Sequence, residues 1–271
     1  MNSISQILQH KRKYSTLALI PFITAGYPSI SLTIQALLTL DKKGADIIEL
    51  GIPYADALAD GPLIQHASKI ALRNGVYIDQ VLNILEDVQF KINVPIIIFT
   101  YYNPILVRGL SRFIKEISER GAQGLIIPDL PIEEIDYLLS LCESYKLELI
   151  LFISPTSSNS RIANIVYKAP GCVYLVSTTG VTGMRDSLNS NINCTSNYIQ
   201  LKANKLVMLG FGISSPEQVS FISKSKLNID GIVVGSAFTN IFLKDSNDKQ
   251  DFSKTINKLG NFCEQMKEAI M

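Results

Sequence analysis

The sequence predicts an α/β fold, a closed (β/α)8 barrel, on three observations. Short apolar, β-branched runs recur along the whole chain. They are near-continuous rather than alternating, as in parallel strands buried on both faces. Helix-period segments lie between them, so one βα unit is used repeatedly. The length, 271 residues, is close to the ~250 of one such barrel. Residues 1–271 are therefore read as a single domain, with extra helices where the connections are long.

The first four strand runs are Leu17-Ala18-Leu19-Ile20, Asp46-Ile47-Ile48-Glu49-Leu50, Pro95-Ile96-Ile97-Ile98-Phe99 and Gly124-Leu125-Ile126-Ile127. The last four are Leu149-Ile150-Leu151-Phe152, Val173-Tyr174-Leu175-Val176, Leu206-Val207-Met208-Leu209 and Gly231-Ile232-Val233-Val234. Ile30, Ile34, Leu37 and Leu38 form one helix face before Gly44, a helix-terminating position. Leu110, Phe113, Ile114 and Ile117 repeat this before Gly121. Pro131 suits a first helical turn, followed by Ile135, Leu138 and Leu139. Ser215-Pro216-Glu217-Gln218 combines an N-cap, a first-turn proline and a capping-box glutamine. The gap between the second and third strands has room for an extra helix. A last helix runs from about Phe252 to Ile270, after a polar surface loop at 244–249. An open doubly wound sheet competes, but it usually carries Gly-x-Gly-x-x-Gly after its first strand. Ile23-Thr24-Ala25-Gly26-Tyr27-Pro28 lacks it.

Composition narrows the function. Hydrophobic residues make up 47% and charged ones 18%, so a sizeable core can form. The 25 Lys and Arg nearly balance the 24 Asp and Glu, against a nucleic-acid coat or polybasic membrane protein. Cys142, Cys172, Cys194 and Cys263 lie far apart with no C-x-x-C, which suits a reducing compartment and a role in the core. The only histidines are His10 and His66, the latter read as a helix-surface residue. A His-rich metal site is excluded. No apolar run reaches the ~18–20 residues that span a bilayer. The N-terminus lacks a secretory apolar core.

In such barrels the reacting groups lie at the C-terminal ends of the strands. Side chains alternate along a strand, so Ile47 and Glu49 share one face and Ile48 and Leu50 the other. With Ile48 and Leu50 toward the helices, Glu49 points into the barrel mouth. Desolvation there raises its pKa toward that of a group that gives and takes protons near neutrality. Asp60 follows on a loop that can fold back over the mouth. The alternatives are a Glu49 tied up in hydrogen bonds and an Asp60 that caps the helix starting near Pro62.

Glycine-rich loop starts follow the last three strands: Gly180-Val181-Thr182-Gly183, Gly210-Phe211-Gly212-Ile213-Ser214 and Gly235-Ser236-Ala237. They let backbone N–H groups approach an anion, and a short helix from Ser236 aims its positive end there. The plainer reading is tight strand-to-helix turns.

These residues carry a resemblance. Ile48-Glu49-Leu50-Gly51-Ile52-Pro53-Tyr54-Ala55-Asp56-Ala57-Leu58-Ala59-Asp60-Gly61-Pro62, Gly180-Val181-Thr182-Gly183 and Gly210-Phe211-Gly212-Ile213-Ser214-Ser215-Pro216-Glu217-Gln218-Val219 resemble the tryptophan synthase alpha chain family. The likeness runs in order along nearly the whole chain, through Pro21-Phe22, Pro128-Asp129-Leu130-Pro131 and Gly235-Ser236-Ala237.

The resemblance implies cleavage of indole-3-glycerol phosphate to indole and glyceraldehyde 3-phosphate, without cofactor or metal. It implies Glu49 as the acid/base and Asp60 as the carboxylate facing the indole N–H. Phe22 and Tyr174 would line the indole end, and Gly183, Gly212, Gly235 and Ser236 would hold the phosphate. Thr182, in a loop from Ser177 to about Asn193, would close over the substrate and touch Asp60. Asp56 and Asn103 would face a tryptophan synthase beta chain in an α2β2 heterotetramer. The chain departs from the family's Phe-Ser-Asp-Pro at Tyr54-Ala55-Asp56-Ala57, and Thr178 replaces an arginine common in the sixth loop. A stand-alone lyase therefore stays open, as does a non-catalytic activator of a beta chain. A class I aldolase would need a strand-borne lysine, and none occupies a strand end. Ile-, Asn-, Lys- and Ser-rich usage fits an AT-biased genome, so both cytoplasm and plastid stroma remain.

Overall fold

The computed structural model describes residues 3–154, 156–177, 185–210, 212–225, 227–245 and 252–270. Eight parallel strands close into a barrel in sequence order, β1 pairing with both β2 and β8. They are β1 (Ala18–Thr24), β2 (Ile48–Gly51), β3 (Ile96–Phe99), β4 (Ala122–Ile126), β5 (Glu148–Ile153), β6 (Cys172–Val176), β7 (Leu206–Gly210) and β8 (Gly231–Val234). Each coincides with an apolar run expected to be a strand.

Alternation along the strands makes two apolar layers. Ile20, Phe22, Ile47, Ile97, Phe99 and Met208 fill the barrel interior. Ile48 and Leu50 join the layer between barrel and helices. Glu49 therefore shares the inward face with Ile47, as strand geometry requires.

The outer shell holds α2 (Ile30–Lys42), α3 (Pro62–Arg73), α4 (Ile78–Val88), α5 (Tyr102–Arg108) and α6 (Leu110–Glu119). It continues with α7 (Ile135–Ser144), α8 (Asn159–Lys168), α9 (Arg185–Ala203), α10 (Pro216–Lys224), α11 (Ser236–Asp245) and α12 (Phe252–Glu268). The extra helix in the long β2–β3 gap is α4. Gly44, at φ +96°, follows α2 in the left-handed region that glycine adopts without strain.

Four expectations are corrected. Pro131 does not open an α-helix: it precedes a 3-10 turn at Ile132–Glu134, and α7 starts after it. Ser215 caps α10, accepting from the Gln218 N–H, but the Gln218 side chain turns to the N–H of Ser214 (2.7 Å). The capping box is thus displaced by one residue. The expected loop from Ser177 to Asn193 ends earlier, because α9 begins at Arg185. That segment is rich in Asn and Ser, poor helix formers. Burial of Ile192 and Ile199 against the core anchors the helix. Cys142, Cys172 and Cys263 are buried as expected, whereas Cys194 is exposed on α9.

An N-terminal helix, α1 (Ser3–Lys13), closes the bottom of the barrel. Ile4 and Leu8 belong to the interior layer. A Cβ on Gly124 would lie 2.5 Å from Ile4 Cδ1, so the glycine makes room for this plug. Ser5 donates its hydroxyl to the buried Glu148 (2.5 Å). Arg12 grips Asp230 through two bonds of 2.7 Å.

Candidate active site

Glu49 sits near the C-terminal end of β2, in register with Phe22 of β1 and Ile97 of β3. It is 1% exposed, and its Oε1 has no hydrogen-bond partner. Burial pushes its pKa up to about 8. This is not a structural carboxylate held in a hydrogen-bond network. A protonated carboxyl at neutral pH is a proton donor.

Asp60 lies on the loop between β2 and α3. It does not cap α3: the N-cap is Gly61, and the Asp60 carbonyl accepts from Gln65 Nε2 (3.0 Å). Its carboxyl is largely buried, and desolvation raises its pKa to about 6 while a hydrogen bond from Tyr101 pulls it down. The two acids share a region but differ in environment, so their pKa values are pushed apart.

Tyr174 of β6 reaches the same region. Its ring stacks on Phe152 at 4.6 Å and lies against the backbone of Gly210. Burial raises its hydroxyl pKa well above the usual value, and the negative charges of Glu49 and Asp60 raise it further. Phe22 sits edge-on to Phe99 (5.5 Å). Gly51 gives it room, since a Cβ there would lie 2.5 Å from Phe22 Cζ.

A cavity of about 760 Å³ opens at this end of the barrel. Asp60, Phe152, Arg161, Gly212 and Ser236 are on its wall. Ser236 begins α11, so the positive end of that helix borders the cavity. Gly235 is beside it and packs near Phe22 and Ile64. Glu49, Phe22 and Tyr174 are not on the cavity wall but in the buried interior layer of the barrel. Thr182 and Gly183, with Thr178, lie outside the described residues. Asp56 and Asn103 are exposed. Asn103 Nδ2 donates to the Tyr54 hydroxyl (3.4 Å), which joins the loop carrying Asp56 to the start of α5. His66 is exposed on α3, as expected.

Sequence reasoning missed Tyr101, Phe152 and Arg161. Tyr101 had a usable signal: it lies two residues beyond Phe99, on the same inward face. Arg161, in the first turn of α8, had none. Among the described residues no group of three His, Cys, Asp or Glu is placed to hold a metal ion. No helix among them is long and apolar enough to cross a membrane.

A closed (β/α)8 barrel with two carboxyls of raised pKa at the C-terminal strand ends defines a class, the barrel enzymes of acid–base chemistry. Comparison narrows it. Residues 8–271 match the family model described as tryptophan synthase alpha chain. The alpha chain from Gracilaria tenuistipitata var. liui is 57% identical over 270 residues, covering 100% of this chain and 97% of the relative. That from Pyropia yezoensis is 47% identical over 271 residues and covers 100% of both. The solved tryptophan synthase subunit alpha from Legionella pneumophila str. Paris superposes with a TM-score of 0.88 at 32% identity, covering 100% of this chain and 98% of that one. The chain belongs to the tryptophan synthase alpha chain family. The role of that family is cleavage of indole-3-glycerol phosphate, a carbon–carbon lyase reaction of tryptophan biosynthesis.

Proposed function

We propose that Glu49 and Asp60 carry this cleavage, in one barrel domain that needs neither cofactor nor metal. Glu49, protonated, gives its proton to indole C3. The ring becomes an indoleninium, with positive charge at nitrogen. The carbon–carbon bond then breaks, and its electron pair returns to the ring. The side-chain hydroxyl becomes a carbonyl, and Glu49 takes the released proton, which restores its starting state. Asp60, ionised, faces the indole N–H and stabilises the positive charge. A positioned acid/base contributes about 10²–10⁴-fold, and a preorganised charge adds a comparable factor.

Phe22 and Tyr174 shape the indole end. Gly212, Gly235 and Ser236, with Gly183, offer backbone N–H groups to the phosphate. Thr182 closes over the substrate and meets Asp60. The observation that carries this reading is the environment of the two acids: burial lifts one to about 8 and the other to about 6, so one is a proton donor and the other an anion at the same pH.

The partner is a tryptophan synthase beta chain, docked near Asp56 and Asn103 in an α2β2 assembly. The site of action is the plastid stroma or the cytoplasm. The curated relatives from Gracilaria and Antithamnion, each 57% identical, favour the plastid as red algal proteins.

The test is indole release from indole-3-glycerol phosphate, with and without a beta chain loaded with pyridoxal phosphate. Glu49→Gln is expected to abolish release while glycerol phosphate still binds. Substantial turnover by that variant would refute the assignment. Co-elution and mutual stimulation with the beta chain are expected; their absence makes the protein a stand-alone lyase.

A further inference from the structure

Asp60 sits on a loop, so something outside the loop must fix the aim of its carboxylate. Two bonds converge on one phenol. The Ala59 N–H donates to the Tyr101 hydroxyl (3.1 Å), and the Asp60 carboxylate lies near enough to that hydroxyl for its pKa to be lowered by hydrogen bonding from it. A hydroxyl with an N–H already donating to it has its own proton free for the carboxylate. Tyr101 is itself closely packed. It is 2% exposed, with its ring 5.2 Å from Tyr54 and 6.2 Å from Phe99. It lies two residues beyond the end of β3, so a strand end supports it, as precise functional geometry requires.

We propose that Tyr101 is a positioning residue for Asp60, clamping the backbone at Ala59 and donating its phenolic proton to the Asp60 carboxylate so that the carboxylate stays aimed and ionised in the barrel mouth. This rests on the reading of Asp60 as the indole-facing anion.

The charged and titratable groups around Asp60 are few. Tyr101 comes from the end of β3 and Tyr174 from β6, and the charge of Asp60 acts on both hydroxyls. Glu49 of β2 acts on the same Tyr174 hydroxyl. Asp129, beyond β4, acts on Tyr101, and Arg161 of α8 stands on the cavity wall. Of the causes acting on the Asp60 pKa, burial raises it and the Tyr101 bond lowers it. Removing the bond therefore raises it. The acid limb of turnover, where Asp60 gains a proton and activity falls, moves to higher pH.

The experiment compares Tyr101→Phe and Asp60→Asn in the full-length chain, by kcat, KM and pH–rate profile for indole release, with thermal unfolding alongside. Tyr101→Phe is expected to lower kcat about 10-fold or more, the loss of one charge-assisted bond. KM changes far less, and the acid limb moves up in pH. A merely structural role would lower the melting temperature and leave the limb in place. If Asp60→Asn is inactive but Tyr101→Phe keeps the parent kcat and acid limb, the inference is overturned and the reading of Asp60 stands. If Asp60→Asn stays active, that reading falls and the inference with it. Should Tyr101→Phe not fold, 3-fluorotyrosine at position 101 keeps the ring and makes the phenol a stronger donor. The acid limb must then move to lower pH, and a stationary limb overturns the proposal.

Discussion

The Tyr174 phenol occupies the space that a side chain at Gly210 would need. The two residues lie on the paired strands β6 and β7, two positions apart in register and so on the same face. A Cβ built on Gly210 overlaps both the hydroxyl and ring carbons of Tyr174. Tyr174 cannot retreat, because its other face is stacked on Phe152. Gly210→Ala is therefore expected to push the phenol out of place and cost about 5- to 150-fold in kcat/KM, an overpacking effect of about 1–3 kcal/mol. Tyr174→Phe will not rescue it, since the ring carbons still clash. Tyr174→Ala in the Gly210→Ala background is expected to recover part of the loss. Steady-state kinetics of the three variants decide it, and a Gly210→Ala enzyme with unchanged kcat/KM would contradict the packing.

The pH profile follows from the two acids. In the proposed mechanism Glu49 must hold its proton to protonate indole C3, so activity is expected to fall as pH rises through about 8. In the same proposal Asp60 must be ionised, so activity is expected to fall as pH drops through about 6. A bell-shaped kcat/KM between these limbs is expected. A profile that is still rising well above pH 9 would remove Glu49 as the donor.

The same burial carries a stability cost with a definite sign. The folded pKa of Glu49, about 8, lies above its ordinary 4.5. Below pH 4.5 the group is protonated in both states and costs nothing. Between 4.5 and 8 the unfolded chain releases the proton and the folded chain does not, so stability declines across that window. Glu49→Gln abolishes this. Its melting temperature should exceed the parent's by a margin that grows from pH 4.5 to 8 and then levels. An equal margin at every pH would mean that the carboxyl ionises freely in the fold.

The strands were legible because both of their faces are buried, which writes an unbroken apolar run into the chain. Glu49 was legible for the opposite reason: it is an acid near the C-terminal end of such a run, on the face that alternation points inward. What escaped were features held by distant partners. Tyr101 gains its meaning from an N–H 42 residues earlier in the chain. The helix α1 buries only Ile4, Ser5 and Leu8, too few for a periodic stripe. The helix α9 is composed of poor helix formers and exists through packing. The role of Asp60 came from resemblance, since nothing local tells an acid folded over a barrel mouth from one that caps a helix.

The helix α1 is expected to contribute stability without touching the chemistry. Arg12 bonds both oxygens of Asp230, which is 2% exposed and also accepts from the Val207 N–H. Arg12→Met leaves that buried carboxylate without its cation. One partner lost from such a pair costs about 3–5 kcal/mol. Arg12 is partly exposed, so the lower end applies. Urea unfolding should show this as a lower midpoint, with kcat at substrate saturation unchanged. An unshifted midpoint would mean that α1 is not needed to close the barrel.

Docking of a beta chain predicts a surface effect separable from catalysis. Asp56 and Asn103 are neighbours through Tyr54, and the exposed Leu58, Leu106 and Val107 lie on the same two segments. Exposed apolar side chains on the segments that carry Asp56 and Asn103 suit a partner with a basic residue opposite Asp56, where a charge sets association rate and register. Asp56→Lys replaces attraction by repulsion. The beta-chain concentration giving half-maximal stimulation of indole release should rise about 10-fold or more at low salt, and less at high salt because exposed charges are screened beyond about 10 Å at 0.1 M. Unstimulated release should match the parent, because Asp56 is exposed and Asp60 is held separately by Tyr101. If stimulation is unaltered at both salt concentrations, the beta chain docks on another face of the barrel.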